Sequence, residues 1–229
     1  MVDRDYSRVL VVIPALNEEE SLPHVLKDLP EVGHVIVADN GSTDRTAEIA
    51  VAHGAEVIAV SRRGYGSACL AGIQRAMAIQ PLVLVILDGD YSDYPEQLPL
   101  LVDPILDNQA DLVIGDRTSL AAPGALLPHQ RFGNKLATFL IHRVTGHRYA
   151  DMGPFRAIRF SDLLSLSMED LNFGWNVEMQ MKAVYGGLRV AEVPVRYRPR
   201  IGHSKISNTV RGSVAAGTII LRSVWRYAR

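Results

Sequence analysis

LVLVILDGDYSDYPEQ, residues 82–97, decides the fold. Leu82 to Leu87 are all apolar, and a short unbroken apolar run reads as a strand buried on both faces. The run ends in Asp88, Gly89 and Asp90, with Asp93 close behind. Outward from it the same pattern recurs, in VLVVIP (9–14), VIVAD (35–39), AEVIAV (55–60) and ADLVIG (110–115). The spacing predicts helices near 18–29, 43–53, 66–80 and 95–107 between them. Strands alternating with helices imply an α/β fold around a mostly parallel sheet covered on both faces. Asn17 and Glu20 fit a helix-start capping box, and Gly54 a helix stop.

The second half breaks this rhythm. LAAPGALLP (120–128) reads as a loop, and 129–146 as a helix with Leu136, Phe139, Leu140 and Val144 in an apolar stripe. DMGPFRAIR (151–159) precedes a short helical patch. Residues 174–187 predict a helix, 188–197 a strand and 209–227 a final helix. No linker or repeat interrupts the chain, so a single domain is expected.

The 229 residues carry 24 Lys plus Arg against 25 Asp plus Glu, which gives no argument for nucleic-acid binding. Residues 189–211 are locally basic, with Arg189, Arg196, Arg198, Arg200, Lys205 and Arg211 against Glu192. Cys69 is the one cysteine, so no internal disulfide can form, and it reads as a small buried residue. The charged start MVDRDYSR is not a signal peptide, and no apolar run approaches the ~20 residues that span a bilayer. These features predict a cytoplasmic chain, soluble or peripheral to a membrane.

Ligands of parallel α/β sheets bind beyond the carboxyl ends of the strands, where Asp88 and Asp90 sit. Residues two apart in an extended segment face the same way, so both carboxylates can meet one ligand. Two carboxylates with phosphate oxygens suit Mg²⁺ or Mn²⁺; the alternative is a plain surface turn. An aspartyl-phosphate phosphatase would carry such a pair on its first strand, whereas here it follows the fourth. Pro14 and Asn17 open a turn after the first strand, and Asp39 with Gly41 opens another after the second. Asp39 can accept hydrogen bonds from a nucleobase or ribose. Gly64 and Gly66 let the chain pass near a ligand, and Arg62 or Arg63 can meet an anion or stay in solvent.

Taken together, VVIPALNEE, VADNGSTDRT, the DGD, DMGPFRAIR and RIGHSKIS resemble family 2 glycosyltransferases, nearest to those moving a sugar onto dolichyl or another polyprenyl phosphate. The resemblance spans Val9 to about Ser207 and implies a GT-A-type nucleotide-diphospho-sugar transferase fold. Residues 1–116 would form the nucleotide-sugar-binding half, and 117–229 the acceptor half with its C-terminal helix. It places Pro14, Ala15, Asn17 and Glu18 along the nucleotide, Asp39 near the base, and Asp88 and Asp90 at the metal and diphosphate. It also implies inversion at the anomeric carbon, UDP-glucose or GDP-mannose as donor, and polyprenyl phosphate as acceptor.

Several residues keep two readings. Glu178 is either the general base for a hydroxyl acceptor or a helix carboxylate facing solvent or Lys182. Arg156 either clamps a phosphate or pairs with Asp151. Arg131 and Asn134 share a helix face that would look into the cleft, with His129 nearby. Arg200, His203, Ser204 and Lys205 would close on a diphosphate or lipid phosphate. Val214, Ile219, Ile220, Val224 and Trp225, with Arg211, Arg222 and Arg226, form either a membrane-surface helix or a packed face, against the domain or a second copy. The leading expectation is hexose transfer to polyprenyl phosphate. Its alternatives are transfer to a soluble saccharide or small-molecule hydroxyl, and a noncatalytic nucleotide-sugar-binding protein.

Overall fold

A computed structural model describes residues 4–202 and 222–228. Seven strands form one sheet in the order β3-β2-β1-β4-β6-β5-β7. They are β1 Val9–Ala15, β2 His34–Asp39, β3 Glu56–Ala59, β4 Val83–Ile86, β5 Leu112–Ala121, β6 Arg156–Arg159 and β7 Val190–Tyr197. β1 to β4 run parallel; β6 is antiparallel to both β4 and β5, and β7 is parallel to β5. The helices are α1 Leu22–Asp28, α2 Thr46–Ala52, α3 Tyr65–Ile79, α4 Leu98–Leu106, α5 Pro128–Thr145, α6 Phe160–Ser165 and α7 Trp175–Tyr185.

Strand alternation divides the core into two layers. Leu10 and Val12 of β1 face the layer that holds Ile73 of α3, Ile141 of α5 and Trp175 of α7. Val9, Val11 and Ile13 face the other, with Val25 of α1 and Leu101 of α4. α3 lies close on β1 because Gly72 leaves room for Val12, where a Cβ would overlap the valine methyls. β1 is flanked by β2 on one side and β4 on the other, so the chain reverses its order between β1 and β4. A crevice opens at such a reversal, beyond the carboxyl ends of the strands.

Three local expectations are corrected. Asn17 and Glu20 do not cap α1, which starts after Ser21; Asn17 takes φ 53°, and its Oδ1 accepts the Thr43 N–H at 2.7 Å. β6 was not foreseen, because its RAIR sequence puts a charged residue at each end of two apolar ones. β5 runs on to Ala121, into the expected loop, by pairing with β7 across an irregularity between Asp116 and Leu120. In the tail, Val224 and Tyr227 are buried while Trp225 is 85% exposed. Arg211, Val214, Ile219 and Ile220 lie outside the described residues.

Candidate active site

The crevice holds a cavity of about 450 Å³. Pro14, Ala15 and Glu18 line it from the end of β1, Asn40 from β2, and Asp88, Gly89 and Asp90 from β4. Arg63 to Tyr65 at the start of α3, Asn172 and Phe173 before α7, and Arg200 after β7 complete the wall.

The turns after β1 and β2 are laced together. Glu18 N–H donates to Thr46 Oγ1 at 2.8 Å, and Glu19 N–H to Asp44 Oδ2 at 3.2 Å. Asp39 Oδ1 accepts the Ser42 N–H at 2.9 Å, which fixes the 39–42 turn. Asn40 was missed by the sequence reading. It is buried, donates through Nδ2 to Arg62 O at 2.9 Å and accepts the Gly64 N–H at 2.7 Å, tying the β2 turn to α3. Its signal was the Asn40-Gly41 turn pair.

The turn at the end of β4 gathers the carboxyl groups of Asp88, Asp90 and Asp93. Asp90 Oδ1 accepts from Ser92 N–H at 2.9 Å and Ser92 Oγ–H at 2.5 Å, while Oδ2 lies 3.2 Å from Arg200 Nη1. Arg200 Nη2 also donates to Glu18 Oε1 at 3.0 Å, so the guanidinium bridges the cavity mouth. Asp88 Oδ1 and both oxygens of Asp93 are buried without a hydrogen-bond partner. Burial, then the neighbouring Asp90, pushes the Asp88 carboxyl up to about 7. Burial and Asp88 push Asp93 well above the carboxylate range. Such oxygens gain most from a cation. Arg198 holds the turn in place: its N–H, Nε and Nη2 donate to Ser92 O, Tyr91 O and Asp93 O at 2.9, 2.7 and 3.0 Å. Its guanidinium also stacks on Tyr91 and Tyr94. Sequence reading missed this arginine, because its partners lie about a hundred residues away.

The raised Asp88 carboxyl fixes a sign for stability. The native state keeps the Asp88 proton to higher pH than the unfolded chain, so this group costs stability increasingly as pH rises from about 4 toward about 7. Asp88→Asn in the metal-free protein should therefore add more stability at pH 8 than at pH 5, read by urea unfolding. An equal gain at both would refute the buried-carboxyl account.

Other sequence candidates lie elsewhere. Glu178 is fully buried on α7. Its Oε1 and Oε2 accept the Glu169 and Asp170 N–H groups at 2.9 and 2.7 Å, and Lys182 Nζ lies 2.7 Å away. The base reading is corrected, since both oxygens are committed and the carboxylate does not reach the cavity. Arg156 is fully buried too, donating to Gly153 O and, at 3.7 Å, to Met179 Sδ. It is no phosphate clamp here, nor the ion-pair partner of Asp151, whose carboxylate takes Arg117 Nε and Nη2 at 2.7 and 2.9 Å. Arg131 is exposed on α5 and donates to Leu126 O at 3.2 Å, away from the cavity lining, as is His129. Asn134 of the same helix instead holds Met152 N–H at 2.8 Å. Asn17 and Asp39 shape the turns without lining the cavity. His203, Ser204 and Lys205 lie outside the described residues. Cys69 is fully buried, and burial pushes its thiol up, which suits a packed residue.

Comparison with known proteins gives the family. The profile of glycosyl transferase family 2 matches residues 10–166. The chain belongs to glycosyl transferase family 2. An uncharacterized glycosyltransferase of Mycobacterium tuberculosis is 43% identical over 213 residues, covering 91% of this chain and 94% of the relative. An undecaprenyl-phosphate mannosyltransferase of Micrococcus luteus is 33% identical over 223 residues, covering 90% of each. Among solved structures, glucosyl-3-phosphoglycerate synthase of M. tuberculosis, in complex with Mn²⁺, UDP and glucosyl-3-phosphoglycerate, superimposes with a TM-score of 0.74. That match is 22% identical and covers 96% of this chain and 79% of the synthase. The fold is thus the GT-A nucleotide-diphospho-sugar transferase fold, and the chain is a glycosyltransferase.

The finer expectation is corrected by the same findings. The relatives differ in acceptor, so family resemblance does not carry a dolichyl or polyprenyl phosphate. One solved structure that matches 96% of the chain is of glucosyl-3-phosphoglycerate synthase in complex with Mn²⁺, UDP-glucose and phosphoglyceric acid. Polyprenyl phosphate as acceptor and peripheral membrane contact therefore give way. No helix among the described residues is long and apolar enough to cross a membrane.

Proposed function

We propose that this glycosyltransferase moves glucose from UDP-glucose to a hydroxyl of a small soluble phosphate ester. The observation that carries the reading is the nucleotide-sized cavity at the β1–β4 reversal, whose wall carries Asp90 and Asp88, the latter with a buried Oδ1 that has no partner. Its acceptor half draws support from the synthase structures, whose bound ligands are phosphoglyceric acid and its glucosyl product.

The donor nucleotide would lie along Pro14, Ala15 and Glu18, with Asn40 at its nucleoside end. Asp88 and Asp90 would hold Mn²⁺ or Mg²⁺. Among the described residues, no three His, Cys, Asp or Glu side chains converge on one metal position, so diphosphate oxygens would complete the coordination. The ion supplies positive charge to the departing diphosphate. Arg200, now shared by Glu18 and Asp90, would offer its guanidinium to that diphosphate. The sugar C1–oxygen bond to UDP breaks, a bond to the acceptor oxygen forms, and the hydroxyl proton leaves to solvent or a base. Much of the rate would come from holding the reactants in place.

A donor-by-acceptor turnover screen tests this. UDP-glucose and GDP-mannose would be offered with Mn²⁺ and each of phosphoglycerate, glycerol phosphate, an unphosphorylated sugar and polyprenyl phosphate. UDP release with a glucosylated soluble phosphate ester is the expected result. A sugar-phosphate-lipid product, or turnover confined to GDP-mannose, would overturn it.

A further inference from the structure

Residues 169–174, joining α6 to α7, are pinned from two sides. From behind, the buried Glu178 carboxylate takes the Glu169 and Asp170 N–H groups, and Lys182 Nζ, 2.7 Å from Glu178, also donates to Ser167 O at 2.7 Å. In front, Leu171 O accepts Ser67 N–H at 3.0 Å and Ser67 Oγ–H at 3.2 Å from the first turn of α3. The fit is close. A Cβ on Gly64 or Gly66 would drive into the backbone carbonyls of Leu171 or Asp170. Burying a carboxylate is costly unless charged and hydrogen-bonding partners satisfy it, and here two N–H groups and an ammonium do so. The outcome of this bracing is that Asn172 and Phe173 stand in the cavity wall beside Asp88 and Tyr65. Phe173 stays 37% exposed there, an apolar ring among carboxylates and arginines.

We propose that this strap recognises the donor: Phe173 meets a flat face of the nucleotide sugar, Asn172 hydrogen-bonds beside it, and Glu178 is the positioning residue that holds both in place. The inference rests on the donor reading above. A nucleobase and a pyranose each offer a flat apolar face, so the shared chemistry is stacking on the phenyl ring with an amide at its edge. Glu178 acts through the strap and touches no reacting atom.

The test is calorimetric binding of UDP and of UDP-glucose with Mn²⁺, plus steady-state kinetics, on the full chain. Phe173→Ala and Asn172→Ala are exposed changes that leave the core intact. Phe173→Ala should weaken UDP-glucose by about 10-fold, and Phe173→Tyr should restore it. Glu178→Ala should raise the donor KM on the order of 100-fold with a smaller change in kcat, and Glu178→Gln, which keeps one carbonyl acceptor, should fall between. Loss of UDP and UDP-glucose binding together assigns the ring to the base; loss of UDP-glucose alone assigns it to the hexose. Unchanged binding of both in Phe173→Ala and Asn172→Ala overturns the proposal while the donor reading stands. A wild-type chain that binds neither ligand overturns both.

Discussion

Asp90→Asn should cut turnover by on the order of 100- to 1,000-fold while the protein stays folded. Asp90 uses both its oxygens: Oδ1 orders the turn through Ser92 and Oδ2 holds Arg200 at the cavity wall, so a bound cation would share Oδ2 with that guanidinium. The amide keeps an oxygen for the Ser92 groups, so the turn survives. What goes is the negative charge that would bind the ion and balance the guanidinium. Metal titration should move with it, the Mn²⁺ concentration for half-maximal rate rising in the variant. Near-normal turnover at the wild-type Mn²⁺ requirement would remove Asp90 from the metal site.

The second large effect is on stability. Asp151→Ala should cost about 3–5 kcal/mol, the range for breaking a buried ion pair by removing one partner. The Asp151 side chain is 1% exposed and that of Arg117 12%. Burial alone would lift the Asp151 carboxyl, yet Arg117 and the Arg117 and Met152 N–H groups hold it below the usual range. Asp151 therefore ties β5 to the 150–153 segment, with the Arg117 N–H and side chain on one oxygen at 2.9 and 2.7 Å. Its loss strands a guanidinium against Tyr197. Urea unfolding measures it, and replacing both partners with apolar residues should cost less than Asp151→Ala alone. A change within 1 kcal/mol in the single variant would show the pair to be dispensable.

The parallel half was legible because β1 and β4 are buried nearly throughout and β2 in its middle, so they write themselves as apolar runs; β3, with no buried residue, was legible only from its Val57-Ile58-Ala59 run. β6 was not, since RAIR reads as charged, and its pairing with both β4 and β5 is a tertiary fact. The same limit governs the site. Asp88 and Asp90 follow their strand directly, and sequence position alone puts them in the crevice. Arg117, Arg198 and Asn40 act through partners 22 to 107 residues away, and no local pattern announces such a partner. Glu178 misled for a related reason: a carboxylate at i and a lysine at i+4 look like a surface pair, whereas the two backbone groups that bury it come from the preceding loop. The acceptor was misjudged on family likeness, because motifs shared across the family, DMGPFRAIR and RIGHSKIS of the acceptor half included, do not name what enters there.

The most direct measurement is anomalous diffraction at the manganese edge from crystals grown with Mn²⁺ and UDP-glucose. The account predicts one strong peak at the end of β4, between the carboxylates of Asp88 and Asp90 and the diphosphate, with the nucleotide running toward Pro14 and Glu18. A peak remote from both aspartates, or UDP-glucose bound in its proper place with no metal beside them, would contradict it.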